Sequence, residues 1–180
     1  EVVYSRKHYL FEAYTVGPND SLESIAFQLR VPAQLLANIN GIRDTATLKA
    51  GDELKIVQGP FRGEIRVATK ELTLFVGTLY AGRFKVELGN EFNSQPGQYS
   101  ILDKQLDRSY YAADGSIIQG GAVNNPYGKY WLDLGGNISI HTQPQDTATR
   151  QSGLGSVKLN PVDARDVYHI LSAGSQVIVR

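Results

Sequence analysis

The chain has 180 residues, and 18 lysine and arginine residues balance 18 aspartate and glutamate residues. Hydrophobic residues make up 42% and charged residues 20%, which is typical of a folded globular protein and excludes disordered or fibrous architectures. The balanced charge, without a basic run, argues against a nucleic-acid partner, because phosphate binding needs a positive surface. Cysteine is absent, which excludes disulfides, zinc–thiolate sites and any thiol nucleophile.

The apolar pattern and the histidines set further limits. No apolar stretch approaches the ~18 residues of a membrane-spanning helix, so the sequence predicts no membrane span. The first residue is Glu1 rather than methionine, and we therefore expect a mature form or a fragment. His8, His141 and His169 are scattered, which predicts no metal site, and no motif indicates a cofactor.

The first unit, from about Tyr14 to Val57, has the pattern of two strands flanking two short helices. Asp20 followed by Glu23 indicates the start of the first helix. Pro32 is suited to the first position of the second helix, which an Asn-Gly pair ends. Apolar residues recur at helical spacing in both segments, at Leu22, Ile25, Ala26 and Leu29 and then at Leu35, Leu36 and Ile39.

These residues resemble the LysM domain, a carbohydrate-binding module. The matching segments are Tyr14-Thr15-Val16, Asp20-Ser21-Leu22, Ile39-Asn40-Gly41-Ile42 and the run 48–56. In that family two loops form a shallow groove for glycans that contain N-acetylglucosamine. Carried over by position, the resemblance implies a glycan-binding groove made of Gly17, Asn19, Asp20, Ser21, Leu22, Asn40, Gly41 and Ile42.

A purely structural role for the same side chains is the alternative. Asp20, Ser21 and Asn40 are residue types that cap helix ends, and Leu22 and Ile42 are apolar enough for the core. The two roles are compatible, because short polar side chains beside free backbone groups also bind sugar hydroxyls and acetamides.

The pattern changes after Gln58-Gly59-Pro60, where we expect the boundary between two domains. Apolar residues then alternate with period two, which predicts antiparallel β structure, with later strands near 97–102, 130–134 and 137–141. One late helix is predicted from Pro161 to Leu171 and a final strand over 176–179.

This second region resembles the L,D-transpeptidase (YkuD-type) catalytic domain, over about 61–180. The matching features are a strand that ends in His141, a glycine-rich turn at 153–156, the helix that follows and the closing strand. The expected fold class is therefore α+β: a small βααβ LysM module followed by a mostly-β L,D-transpeptidase-like domain with one late helix. The expected divisions are 1–12 for an N-terminal extension, 13–58 for the LysM module and 59–180 for the second domain.

The active-site signature of that family is altered here. Its Ser-His-Gly-Cys falls on Gly153, Leu154, Gly155 and Ser156, so serine stands in place of the nucleophilic cysteine and leucine in place of the histidine. Lys158 replaces the signature arginine, which keeps the charge and loses a two-pronged carboxylate clamp. The candidate catalytic positions are Ser156, His141, Gly155 and Lys158, with Leu154 beside them.

Two interpretations of Ser156 remain open at this point. It is either a structural serine in a relic turn, or a nucleophile with His141 as base and then acid, which needs an orienting carboxylate such as Asp133 or Asp146. A serine hydroxyl is far harder to ionise than a thiol, which favours the first. The nearby aromatic residues either pack in the core or stack on sugar rings, and we favour the core; they are Tyr110, Tyr111, Tyr127, Tyr130 and Trp131.

The resemblances together imply a peptidoglycan-associated protein in the periplasm or cell wall. The expected partners are glycan strands, held by the LysM module, and stem peptides, held by a catalytically degenerate second domain. The alternative is an active transpeptidase that uses Ser156 and His141 to cross-link stem peptides.

Overall fold

The computed structural model describes residues 11–89, 92, 96–144 and 155–180. Its first unit contains β1 (Tyr14–Thr15), α1 (Leu22–Leu29), α2 (Ala33–Asn40), a short 3-10 turn (Thr45–Thr47) and β2 (Glu53–Leu54). β1 and β2 pair in antiparallel fashion. The predicted order of two strands around two helices is confirmed.

Local chemistry explains where the two helices begin and end. The Ser21 side chain accepts a hydrogen bond from Ser24 N–H, and Ser24 Oγ accepts one from Ser21 N–H, which forms a reciprocal cap at the start of α1. Pro32 is the residue immediately before α2 rather than its first residue. α2 ends at Gly41, whose φ of 67° is left-handed and favours glycine.

The second unit contains twelve strands and one helix within the described residues. In chain order these are β3 (Phe61–Arg66), β4 (Glu71–Val76), β5 (Leu79–Lys85), β6 (Glu87–Leu88), β7 (Gly97–Ser100), β8 (Asp103–Leu106), β9 (Tyr110–Tyr111), β10 (Ile117–Ile118), β11 (Tyr130–Gly135), β12 (Ile138–Thr142), β13 (Ser156–Leu159), α3 (Pro161–Ile170) and β14 (Gln176–Val179).

These strands form two five-stranded sheets and one hairpin. The first sheet has the order β5-β4-β3-β14-β7 and the second the order β6-β13-β12-β11-β8, while β9 pairs with β10. The expected α+β class, a βααβ module followed by a mostly-β domain with one late helix, is confirmed.

One continuous apolar core joins the two units. Leu35 of α2 and Phe61 of β3 are both fully buried and belong to the same cluster of apolar side chains. The connection between the units is tight, because Gly59 N–H donates to Leu29 O at 2.8 Å. A Cβ atom on Gly59 would lie 2.1 Å from Arg30 O, so no larger residue fits this crossing. The units are therefore held together by packing as well as by the chain.

The register of the second sheet sorts its side chains into two faces. β12 pairs in parallel with β13, which places His141 beside Lys158 and Ser139 beside Ser156. Trp131 of β11 is opposite His141 and shares that face. The other face is turned to α3, since Lys104 Nζ of β8 donates to Tyr168 O in the last turn of α3 and to Leu171 O just after it.

The sequence missed the short and polar strands. β6, β9 and β10 have two residues each, and β8 (Asp-Lys-Gln-Leu) has no apolar alternation. β13 begins at Ser156, inside the segment expected to be a glycine-rich turn. No helix in the described part of the chain is both long and apolar enough to cross a membrane.

Candidate functional site

The residues at the signature positions lie together on one face of the second sheet. His141, Ser156 and Lys158 are all buried, with 0%, 1% and 3% of their surfaces exposed. Gly155 lines the adjacent cleft. Leu154 falls outside the described residues, as does Asp146. Four of the five predicted positions are thus brought together.

His141 is held as a neutral base with a defined tautomer. Its Nδ1 lies 2.8 Å from Thr142 O, which can only accept, so Nδ1 carries the proton and Nε2 keeps a free lone pair. Burial lowers the pKa of His141 from 6.5 to about 4, and the Lys158 charge adds to this, while the carbonyls of Thr142 and Tyr127 oppose it. The imidazole is therefore uncharged at neutral pH.

The contact that a serine nucleophile needs is not made. Nε2 of His141 is buried and has no hydrogen-bond partner among the described residues. Ser156 sits beside Ser139 in the register, two residues from the position opposite His141. Since Nδ1 already binds a carbonyl, neither ring nitrogen accepts the Ser156 hydroxyl proton in this arrangement.

Lys158 has an acidic neighbour across the sheet. It pairs in register with Glu87 of β6. Burial lowers the pKa of Lys158, and the Glu87 charge acts against that change. Lys158 therefore lies between a carboxylate on one strand and the neutral His141 ring on the other.

An aromatic cleft of about 730 Å³ opens beside these residues. Tyr127 is at its centre: its ring makes edge-on contacts with Tyr110 and with His141, each at 5.4 Å between centroids, and a tilted contact with Trp131 at 6.0 Å. Tyr130 points elsewhere and packs against Tyr168 and His169 at 5.3 Å and 6.0 Å. The predicted aromatic group is therefore divided, and only part of it reaches the cleft.

Arg108 completes the cleft and was not singled out by the sequence. Its Cζ atom lies 3.9 Å from the centroid of the Trp131 ring. Arg108 Nε and Trp131 Nε1 are buried and have no hydrogen-bond partner in the described part of the chain. An arginine between two short strands gives no periodic signal, so only the fold reveals its position.

Asn125 ties together the segments that carry Arg108 and Tyr127. It is 1% exposed, and its Nδ2 donates to Arg108 O at 2.9 Å and to Gln119 O at 3.0 Å. Its Oδ1 accepts from Tyr127 N–H at 2.9 Å. The turn at Gly128 has a φ of 60° and passes so close to Thr142 that a Cβ atom would lie 2.8 Å from it. Asn125 therefore holds Arg108 and Tyr127 in place over the sheet.

The predicted glycan-binding residues of the first loop are mostly engaged within the loop. Asp20 Oδ2 accepts from Gly17 N–H at 2.7 Å and from the Tyr14 hydroxyl at 2.8 Å, which raises the pKa of Tyr14. Ser21 caps α1, Leu22 is 2% exposed, and Asn19 is exposed.

Asn40, in the second predicted loop, is also tied to the backbone. Its Nδ2 donates to Leu36 O and Lys55 O, and its Oδ1 accepts from Lys55 N–H at 2.7 Å. Gly41 and Ile42 line a separate cleft of about 700 Å³ between α2 and α3, together with Arg43, Arg165 and His169. The structure thus places these two residues facing the second unit.

Comparisons with known proteins agree with this architecture. Residues 14–57 match the LysM domain family. The remaining sheets match the L,D-transpeptidase 1 of Mycobacterium tuberculosis with a TM-score of 0.52 at 14% identity, over 74% of this chain and 66% of that one. The catalytic domain of the Enterococcus faecium L,D-transpeptidase matches with a TM-score of 0.50 at 14% identity, over 67% of this chain and 97% of that domain.

The chain is a LysM domain followed by a domain of the L,D-transpeptidase fold. A putative L,D-transpeptidase YkuD of Bacillus licheniformis is 22% identical over 176 residues, which is 92% of this chain and 97% of the relative. The Mycobacterium smegmatis L,D-transpeptidase matches with a TM-score of 0.51 at 17% identity, over 74% of this chain and 64% of its own length. The chain thus spans less than two thirds of the mycobacterial chains. The suspected family resemblance is confirmed.

Proposed function

We propose that this chain is a peptidoglycan-associated protein of the periplasm or cell wall, in which the LysM domain holds glycan and the second domain holds stem peptides without catalysing transfer. The LysM domain and the transpeptidase fold support association with peptidoglycan. The absence of cysteine is the observation on which the lack of transfer rests, because the family's reaction uses a cysteine nucleophile and this chain has none.

The environment of His141 supports the same proposal. A general base must accept a proton from its nucleophile through a hydrogen bond. Nε2 of His141 makes none within the described residues, and its pKa of about 4 makes it a weak base. The cleft lies beside these residues, and among the described residues no hydrogen bond provides a path for proton transfer from Ser156 to His141.

An active serine transpeptidase is the second candidate, because Ser156 occupies the nucleophile position on the same sheet face as His141. In that case Ser156 Oγ attacks the carbonyl of a stem peptide, His141 takes the hydroxyl proton and returns it to the leaving amine, and a second amine then releases the acyl group. Loss of turnover in Ser156→Ala would favour this candidate, and unchanged peptide retention without turnover in either protein would favour binding.

Co-sedimentation with purified cell-wall sacculi tests the association. We expect the native chain to sediment, and Asn19→Ala to lower the bound fraction about threefold, the effect of losing one hydrogen bond. Asn38→Ala is the matched control, since Asn38 is exposed on α2 and bonds only within that helix, to Gln34. A native chain that stays in solution would contradict the proposal.

A further inference from the structure

The cleft beside Trp131 contains polar groups that the protein itself leaves unpaired. Arg108 Nε and Trp131 Nε1 are buried donors of two residues that line the cleft, and neither has a partner among the described residues. His141 Nε2 is a buried acceptor that also lacks a partner among them, but His141 contacts the Tyr127 ring and does not itself line the cleft. Burying an unpaired polar group is unfavourable, so native proteins rarely keep several together. Two unpaired donors in one cleft point to a ligand that accepts hydrogen bonds from both.

Among the described residues, no ion pair neutralises the charge of Arg108. The ion pairs in the described part of the chain involve Arg66, Arg83, Arg165 and Arg180, and none includes Arg108. The contact with the Trp131 ring at 3.9 Å uses the positive charge and none of the N–H donors. Burial raises the pKa of Tyr127, and the charge of the nearby Arg108 acts against that rise.

The other charge in the cleft limits what the ligand is. Asp133 is the second charged residue among those that line it, and its Oδ1 accepts from Gly135 N–H at 2.9 Å. One positive and one negative side chain make the site neutral overall, which disfavours a doubly charged phosphate. A singly charged planar carboxylate matches the donor fork of a guanidinium, and the tyrosine walls suit a peptide chain.

We infer that this cleft is a carboxylate-binding site in which Arg108, held over Trp131, anchors the free carboxyl end of a peptide. The inference rests on the proposed function, since it names the chemistry of the stem peptide that the second domain holds. It also explains how the domain keeps an arginine for carboxylate binding although the signature arginine has become Lys158. Trp131 Nε1 is the second donor available to the ligand.

The single tryptophan of the chain provides the readout, because Trp131 lies in the proposed site. Tryptophan fluorescence is titrated with an N-acetylated tetrapeptide that ends in D-alanine and has its only carboxyl group at the C-terminus, and separately with its C-terminal amide. We expect the acid to bind at least about tenfold more tightly than the amide, as for a hydrogen bond to a charged group. Equal affinity, or no binding of either peptide, would overturn the inference.

Substitutions then assign the effect to Arg108. Arg108→Gln should abolish the difference between acid and amide, and Arg108→Lys should keep part of it. Arg62→Gln is the matched control, because Arg62 lies 4.4 Å from the Phe75 ring centroid on the other sheet, and it should leave the difference unchanged. Persistence of the full difference in Arg108→Gln, with an unchanged melting temperature, would place the carboxylate elsewhere and overturn the inference.

Two controls separate this inference from the proposed function. Inorganic phosphate is added as a competitor, and displacement of the peptide at equal concentration would show a general anion site and contradict carboxylate specificity. Sacculus binding through the LysM domain is measured on the same protein. If the protein prefers the acid but does not bind sacculi, peptidoglycan association is contradicted and the carboxylate site is supported. If it binds sacculi but shows no preference for the acid, only the carboxylate site is contradicted.

Discussion

The polar side chains of the LysM loops and those of the cleft in the second domain differ in their hydrogen bonding. In the LysM domain, Asp20 binds Gly17 N–H and the Tyr14 hydroxyl, and Asn40 binds backbone groups of Leu36 and Lys55, at distances of 2.7–2.9 Å. In the cleft of the second domain, Arg108 and Trp131 each keep a buried polar atom without a partner in the described residues, as does His141 beside the cleft. The first set stabilises the fold, and we propose that Arg108 and Trp131 bind a ligand.

This difference separates structural from ligand-binding polar residues. A capping or strand-tying side chain is satisfied in the folded chain, so its removal lowers the free energy of unfolding. A ligand-binding side chain is left unsatisfied, so its removal should change binding more than stability. Substitutions in the two regions test that division.

Asn125→Ala should cause the largest loss, because it removes three hydrogen bonds from a fully buried side chain. We expect the free energy of unfolding to fall by about 3 kcal/mol and the acid preference of the cleft to weaken, since Arg108 and Tyr127 lose their support. Urea denaturation and the fluorescence titration measure the two effects. Asn124→Ala is the control, because Asn124 is exposed beside it, and an equal loss there would contradict the role of Asn125.

His141 should make the protein sensitive to acid. Its pKa is lowered from 6.5 to about 4 in the folded chain, so the unfolded chain binds a proton first and stability falls as the pH drops from 6.5 towards 4. At about 1.4 kcal/mol for each pH unit, the loss is roughly 3 kcal/mol or less. His141→Asn should flatten this part of the curve in pH-dependent urea denaturation, whereas His169→Gln should retain most of it. A wild-type curve that is flat over this range would contradict the buried neutral imidazole.

Asn40→Ala should lower the free energy of unfolding by about 2 kcal/mol, because Leu36 O and both backbone groups of Lys55 lose a partner on a half-buried side chain. Thermal unfolding measures the change, with Asn38→Ala as the control on the same helix. Weaker sacculus binding without any loss of stability would assign Asn40 to the glycan instead.

Ser21→Ala should have the smallest effect of the four, about 1 kcal/mol, because it removes one cap from the start of α1. Thermal unfolding again gives the readout. The loss of unfolding free energy should be smaller than that of Asn40→Ala. A larger loss in Ser21→Ala would show that the helix cap stabilises the LysM fold more than the bonds from Asn40 to Leu36 and Lys55.

The parts of the fold that the sequence predicts are those determined by neighbouring residues. The caps and stops of α1, α2 and α3 depend on neighbouring residues, and the predicted ends differ from the observed ones by about one residue. Period-two alternation likewise locates β4, β11 and β12. Two-residue strands such as β9 and β10 carry no periodic signal and form only because their partners are adjacent.

The candidate site was harder to predict, because it is formed by residues that lie far apart in the sequence. His141 and Ser156 were found from the signature, but their relative register depends on parallel pairing between β12 and β13. Arg108 and Asn125 have no local feature that distinguishes them from surface residues. Their roles follow from burial and hydrogen bonding, which sequence spacing does not encode.

Whether the second domain lacks transfer activity is best tested by intact-mass spectrometry after incubation with a tetrapeptide donor and, separately, with a carbapenem. The native chain and Ser156→Cys are compared under the same conditions. We expect no covalent adduct on the native chain, because the chain has no cysteine thiol and His141 makes no hydrogen bond to Ser156. An acyl adduct on the native chain that disappears in Ser156→Ala would contradict this expectation and establish a serine enzyme.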